Sequence, residues 1–250
     1  MTSDEAAETP LPRALELLWR GPNPARRASG LTRERIVTAA IELADADGLS
    51  ALSMARLAER LGCGTMSLYR HVANKDELVV FMLSEAPAPP PAASDDTNWR
   101  DALSNWANGL WDVYHQHPWI LAAASSGPPA DPGQLAWLDA GLGTMAATPL
   151  AERDKLAAVI AVLHFVRGAA ALDLEAGSLD ATQYPALLRR LMDPARFPAL
   201  AAALTEGVFD DADDDPRSGL DWGVRRLLDG IGVEIATANS DSRSGDGAST

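Results

Sequence analysis

Residues 57–78 read LAERLGCGTMSLYRHVANKDEL. Leu57, Ala58 and Leu61 form one apolar stripe, and Gly62 closes the helix that carries them. A second helix, over about Thr65–His71, begins almost at once. It can bury Leu68 and Val72. The rest of its side chains, Thr65, Met66, Ser67, Tyr69, Arg70 and His71, mix donors with apolar probes in a way that suits no core. Two short helices joined by a tight glycine turn make a helix-turn-helix. Ala58 is small where the helices approach, and Gly62 stands where left-handed backbone is needed. The side chains left outside are of the kind that meet base edges and phosphates in DNA.

The helical pattern extends both ways. Upstream, Thr32 is placed to cap a helix with Ile36, Ala40, Leu43 and Ala44 on one stripe, ended by Gly48. Ser53 caps the next, with Met54, Leu57, Ala58 and Leu61 at helical spacing. Downstream, Asn74 followed by Glu77 is a capping-box-like start for a helix running to about Ser84. The prolines of EAPAPPPAASDD cannot continue it, so a boundary or loop is expected over 86–96. Further helices are expected at 98–116, 118–125, 132–146, 151–177, 181–192, 195–206 and 216–237. The expected organisation is a flexible basic arm with a short helix (1–30), a DNA-binding domain (31–85), a helical domain (96–238) and a disordered polar tail (239–250).

Composition agrees. Apolar residues make up 47% and aromatics 6%, with Ala and Leu dominant and no alternating valine-rich run, so the fold class is all-α. Cys63 is the only cysteine and no secretory signal opens the chain, which points to a reducing cytoplasm. The apolar stretch 157–172 contains His164 and Arg167, so it reads as a buried helix and no membrane association is expected. A net charge of −14 argues at first against nucleic acid. The charge is uneven, however: from Arg20 to Lys75 nine basic residues face five acidic ones, and the acidic surplus lies elsewhere, notably over 210–215. Salt screens over roughly 10 Å, so the local field decides phosphate binding. There is no G-x-S-x-G, Gly-rich phosphate loop, H-E-x-x-H or Cys/His cluster, so no enzyme, cofactor or metal site is expected.

The run LTRERIVTAAIELADADGLSALSMARLAERLGCGTMSLYRHVANKDELV holds DGLSALSM, AERLG, SLYRHV and NKDEL in order. Over about Leu31–Phe81 it resembles the DNA-binding domain of the tetracycline-repressor (TetR) family of bacterial transcriptional regulators. The basic arm and the GTMSLYRHV helix resemble the subgroup whose C-terminal domain is like that of tetracycline repressor itself. The resemblance implies an all-helical homodimer with double-stranded operator DNA and a small-molecule effector as partners. Each subunit would join a three-helix DNA-binding domain to a larger domain for ligand binding and dimerisation. A small molecule usually releases the DNA, making a repressor the first expectation and an activator a variant of it.

Carried over by position, the resemblance puts Gly64–Ser67 in the major groove, with Gly64 allowing close backbone approach. Tyr69 offers its hydroxyl to a phosphate or packs within the domain. His71 bonds a phosphate or caps the helix end, and Lys75 is a phosphate anchor or a solvated charge. Ser53 doubles as N-cap and phosphate donor. Thr65, Met66 and Arg70 complete the set on the helix-turn-helix. Arg26 and Arg27 enter an adjacent minor groove or simply solvate a linker. Cys63 reads as a small buried hydrophobe rather than a redox sensor.

The downstream half carries ligand candidates: Trp111, His115, Trp119, Trp137, His164 and Arg167, with Trp106, Tyr114, His117 and Phe165 beside them. They suit a hydrophobic or aromatic ligand. His164 and Arg167 share a helix face, as a polar handle or as a buried pair satisfied by a neighbour such as Asp173 or Glu175. In the family the helices matching 151–177 and 216–237 form a four-helix bundle across a two-fold axis. Val159, Leu163, Val166 and Ala170 on one, and Leu220, Val224, Leu227, Leu228 and Ile231 on the other, are the stripes for that contact or for intramolecular core. The competing reading is a helical protein-interaction module with a vestigial DNA surface.

Overall fold

Three side chains start three helices. The Thr32 hydroxyl accepts the Arg35 N–H at 3.3 Å, the Ser53 hydroxyl that of Arg56 at 3.2 Å, and the Asn74 side-chain oxygen that of Glu77 at 2.8 Å. Each cap answers an amide the helix cannot, typically for ~1 kcal/mol. The computed structural model describes residues 11–20, 30–91, 98–124, 129–176, 184–209, 215 and 217–246, and its helices extend over most of them, with no strand among the described residues. In chain order these are α1 (Arg13–Trp19), α2 (Arg33–Asp47), α3 (Met54–Arg60), α4 (Thr65–Leu68), α5 (Lys75–Glu85), α6 (Trp99–Gln116), α7 (Trp119–Ala123), α8 (Pro132–Thr144), α9 (Glu152–Ala176), α10 (Tyr184–Leu191), α11 (Pro198–Thr205) and α12 (Arg217–Asp246). Gly48 (φ 79°) and Gly62 (φ 64°) take the left-handed backbone that ends α2 and turns α3 into α4.

The chain gathers into two compact units. The first holds α1–α5, α6 from Asp112, α7, and α8 to Gly143. Its core is Ile36, Val37, Ala40, Leu52, Leu57, Leu68, Val72, Leu78, Phe81 and Met82, all but shut off from solvent. Residues 112–143, grouped by sequence with the downstream domain, pack in this unit with the N-terminal helices. The Trp137 indole donates to the Ala88 carbonyl at 2.9 Å. The Gly133 amide donates to the Ser84 hydroxyl at 3.2 Å, and a Cβ on Gly133 would lie 2.0 Å from the Ser84 carbonyl oxygen. Only glycine permits that approach of α8 to α5. In the stretch preceding α2, residues 13–19 form a short helix of the kind expected there, and this α1 lies against α5.

The second unit holds α6 to Trp111 and α9–α12. Here α9 and α12 run along one another. Val159, Val162, Val166 and Ala170 are buried with Leu220, Val224, Leu228 and Ile231. Of the two readings open for these stripes, Val159, Val166, Ala170, Leu220, Val224, Leu228 and Ile231 take the intramolecular one, while Leu163 and Leu227 are half-buried, because apolar periodicity marks a face without saying whose face covers it. Away from the buried stripes, α9 exposes Leu172 and α12 exposes Trp222 and Val233. By length and composition Glu152–Glu175 could cross a membrane, but its buried face is taken up within this unit. The tail also differs from expectation, since α12 continues to Asp246. Propagating a helix costs far less than starting one, and the Thr237 and Ser240 hydroxyls fold back on the Val233 and Ala236 carbonyls at 3.0 Å each.

Partial burial at the end of α5 holds the Glu85 carboxyl above its ordinary range; Glu34 pushes the same way and Arg33 opposes. A raised folded-state pKa contributes stability that is present at low pH and lost as pH rises through it. Glu85→Gln is therefore expected to raise the melting temperature slightly at neutral pH, and to gain nothing at about pH 4. Paired thermal melts check it; an equal gain at both pH values refutes it.

Candidate nucleic-acid interface

The turn and the helix after it are shaped by three buried side chains. Leu57, Leu68 and Val72 have no exposure, which fixes which way α4 faces. Gly64, in extended backbone at φ −76° and ψ 146°, starts the helix, and no atom would stand within 4 Å of an added Cβ. Thr65, Met66, Tyr69 and Arg70 then project outward, Met66 at 75% and Tyr69 at 46% exposure, while Ser67 is half-buried. The Arg70 guanidinium donates to the Ser67 hydroxyl at 3.1 Å. This presents one donor-rich ridge with an apolar tip at Met66. The regular helix is shorter than expected, ending at Leu68, and Tyr69–His71 complete it as a turn in which the His71 N–H donates to the Leu68 carbonyl at 2.8 Å.

The flanking candidates divide. Ser53 is exposed and caps α3, its hydroxyl on the Arg56 amide. The Lys75 ammonium donates to the Leu49 carbonyl at 3.2 Å, which ties α5 to the turn after α2 and leaves two further donors on the same nitrogen. His71 is half-buried. It helps hold the Glu34 carboxyl below its ordinary range, after Glu34's own backbone amide, the Thr32 hydroxyl and Arg33. Arg56 and Arg60 form ion pairs with Asp47 and Glu42, each at 2.8 Å, so much of the basic excess near the turn braces α3 on α2. Cys63 is half-buried, its N–H bonded to the Ala58 carbonyl. Arg26 and Arg27 lie outside the described residues.

Of the ligand candidates, Trp119 and Trp137 are buried in the first unit with their N–H groups already bonded, to Asp45 at 2.7 Å and to the Ala88 carbonyl. His115 is half-buried there. In the second unit Trp111 is buried, Arg167 half-buried and His164 exposed. His164 thus forms no buried pair with Arg167. It falls on the outer face of α9 with Ala161, Gly168 and Leu172. Among the described residues no group of three His, Cys, Asp or Glu could hold a metal ion.

Two polar clusters, each centred on one buried side chain (His117 and Glu77), escaped the sequence. Asp45, at the end of α2, accepts from the Trp119 indole and meets His117 Nδ1 at 2.8 Å. Glu77, in the first turn of α5, takes the Arg13 guanidinium on both oxygens and the Ala73 N–H on one. Both join residues more than sixty positions apart, and no local pattern signals such a pair.

Comparison with known proteins matches both halves of the chain. Residues 36–80 match the family of bacterial regulatory proteins called tetR, and residues 90–235 match the tetracyclin repressor-like C-terminal domain. The transcriptional repressor DrrR1 of Streptomyces coeruleorubidus is 35% identical over 249 residues, covering 92% of this chain and 88% of that protein. A solved transcriptional regulator of Streptomyces coelicolor, 28% identical, superposes with a TM-score of 0.66 over 81% of this chain and 98% of its own. The regulator ActR of the same organism, solved in complex with actinorhodin, shares the fold at 24% identity and a TM-score of 0.69, over 82% of this chain and 96% of its own.

Proposed function

The chain belongs to the tetracycline-repressor family and is a DNA-binding transcriptional regulator, and on that premise we propose that it works as a homodimeric repressor in the cytoplasm, reading its operator through α4 and released by a small hydrophobic or aromatic ligand. The observation that carries the reading is the outward ridge of Thr65, Met66, Tyr69 and Arg70 on a helix anchored by buried Leu68 and Val72. Side chains of this type, held proud of a core, fit base edges and phosphates in a major groove. Gly64 supports close backbone approach, and Ser53, His71 and Lys75 supply phosphate donors beside it. Arg26 and Arg27 are proposed to reach the neighbouring minor groove. The domain roles follow the sequence reading, with 31–85 for DNA and 96–238 for ligand and dimer. Nothing in this reading asks the chain for catalysis, cofactor or metal.

Two α4 helices must stand ~34–36 Å apart to enter successive major grooves. A ligand that favours another separation weakens DNA binding by its differential affinity for the two states. The lever proposed is α5. Its first turn follows α4 directly, and its last turn is gripped by α8 at Gly133. The ligand contacts proposed are Trp111 and Arg167, buried and half-buried in the second unit. A neighbour solved with actinorhodin gives a precedent for ligand binding on this fold.

The dimer surface proposed runs over α9 and α12 where Leu172, Trp222 and Val233 stand exposed. Leu172→Glu with Trp222→Glu is expected to turn a dimer into a monomer by sedimentation and to weaken operator binding more than tenfold. A wild type that sediments as a monomer at micromolar concentration, or a double variant that stays dimeric, refutes the surface.

Selection of duplexes from random DNA, with and without cell extract, tests the whole reading. The expected outcome is a two-fold symmetric site whose half-sites are spaced by whole helical turns, with recovery reduced by a component of the extract. Selection of no sequence at all overturns it.

A further inference from the structure

The helix α1 precedes both segments that match the family, which begin at residue 36. It nevertheless lies on α5 and carries Arg13, whose guanidinium Nη1 donates to both oxygens of Glu77, at 2.6 and 2.7 Å. Glu77 is buried, its side chain only 6% exposed, while Arg13 reaches it from a position 55% exposed. The same carboxylate accepts the N–H of Ala73. Ala73 stands in the turn between Val72, the last buried anchor of the recognition helix, and Asn74, the cap of α5. In a capping box the acid returns to the N-cap amide. Here it reaches one residue further back, into the exit from α4, and so fixes how the ridge follows into α5.

A buried carboxylate needs its partners. With a cation on it, both oxygens are filled and the charge is balanced; without the cation the group must draw water or move. Either response loosens the Ala73 contact. At the other end of α1 the Trp19 indole donates to the Ala130 carbonyl at 3.1 Å, within the same unit, so the helix on α5 is bonded at both ends.

We propose that Arg13 is a positioning residue for DNA binding, acting through Glu77 to set the exit of the recognition helix from a segment outside the helix-turn-helix. The inference rests on the reading of α4 as the DNA-contacting helix. It touches no phosphate in this role. A residue that contacts phosphate releases a counterion, so its removal flattens the dependence of log affinity on log salt. A residue that only positions others lowers affinity and leaves that slope unchanged.

The experiment uses the full chain and a duplex selected from random DNA by the wild type, titrated across a series of salt concentrations. Arg13→Gln is expected to lose about tenfold in affinity with an unaltered salt slope, and Arg13→Lys to recover part of the loss. Glu77→Gln is expected to lose as much or more, and the double variant no more than Glu77→Gln alone. Hydrogen exchange gives a second readout: in Arg13→Gln the peptide containing Ala73 should exchange faster while that containing Leu57 is unchanged. Wild-type affinity in Arg13→Gln, a slope reduced by about one, losses that add in the double variant, or unchanged exchange at Ala73 would each overturn the proposal. Failure of the wild type to select any duplex would instead remove the premise about α4, so the two failures are distinct.

Discussion

Thr65→Ala combined with Tyr69→Ala is expected to weaken binding to a selected operator duplex about a hundredfold or more, with the melting temperature close to that of the wild type. Both side chains are exposed, and the residues that hold α4, Leu68 and Val72, are untouched. Surface substitutions away from caps and cores usually change stability by less than ~0.5 kcal/mol. A good contact to a base edge is worth ~1–3 kcal/mol, and each substitution in a two-fold dimer is felt at both half-sites. Two lost contacts per subunit thus exceed the ~2.7 kcal/mol that a hundredfold change represents. Tyr69→Phe separates the hydroxyl from the ring: if the hydroxyl meets a phosphate, most of the Tyr69 loss appears in that variant too. Fluorescence anisotropy titrations with melts on the same samples decide it. A double variant that binds as well as the wild type sinks the assignment of α4.

Gly133→Ala is expected to cost ~2–3 kcal/mol and to lower the melting temperature by roughly 4–12 °C. The sign runs against intrinsic propensity, since alanine is favoured over glycine inside a helix by about 1 kcal/mol. Contact decides it. The new methyl carbon would lie 2.0 Å from the Ser84 carbonyl oxygen and 2.8 Å from its Cα, and backbone cannot swing aside as a side-chain tip can. Gly143, on the same helix, has no atom within 4 Å of an added Cβ. Gly143→Ala should therefore be neutral or stabilising, and serves as the control. Because the displaced element is the last turn of α5, Gly133→Ala should also alter operator affinity while the residues of α4 remain intact. Equal melting temperatures for the two variants would refute the close contact.

The elements of the DNA-binding half were legible because their signals are local. Thr32, Ser53 and Asn74 each cap the helix that their sequence position foretells. Gly48 and Gly62 supply positive φ where the apolar stripes stop. Leu57, Leu68 and Val72 are fully buried, as their spacing requires, which leaves Thr65, Met66 and Tyr69 outside by subtraction. Downstream, helix positions were equally readable, and α6, α8 and α9 fall within two residues of their expected ends.

Partnership was not legible. Periodicity along α9 and α12 identifies an apolar face on each, yet those faces meet one another inside the second unit, and Leu172, Trp222 and Val233 stand on the other side. His117 and Trp119 look like ligand groups in a run of aromatics, but Asp45 already engages both. Arg13 carries no local signal of a partner, and it answers the buried Glu77. The order of residues thus specified where helices start and stop and which side of each avoids water, because capping, backbone dihedrals and amphipathic spacing act over a few positions. Folding in three dimensions chose which of those sides meet, and which charge neutralises which, because contacts between distant segments depend on how whole helices cross and carry no signature along the chain.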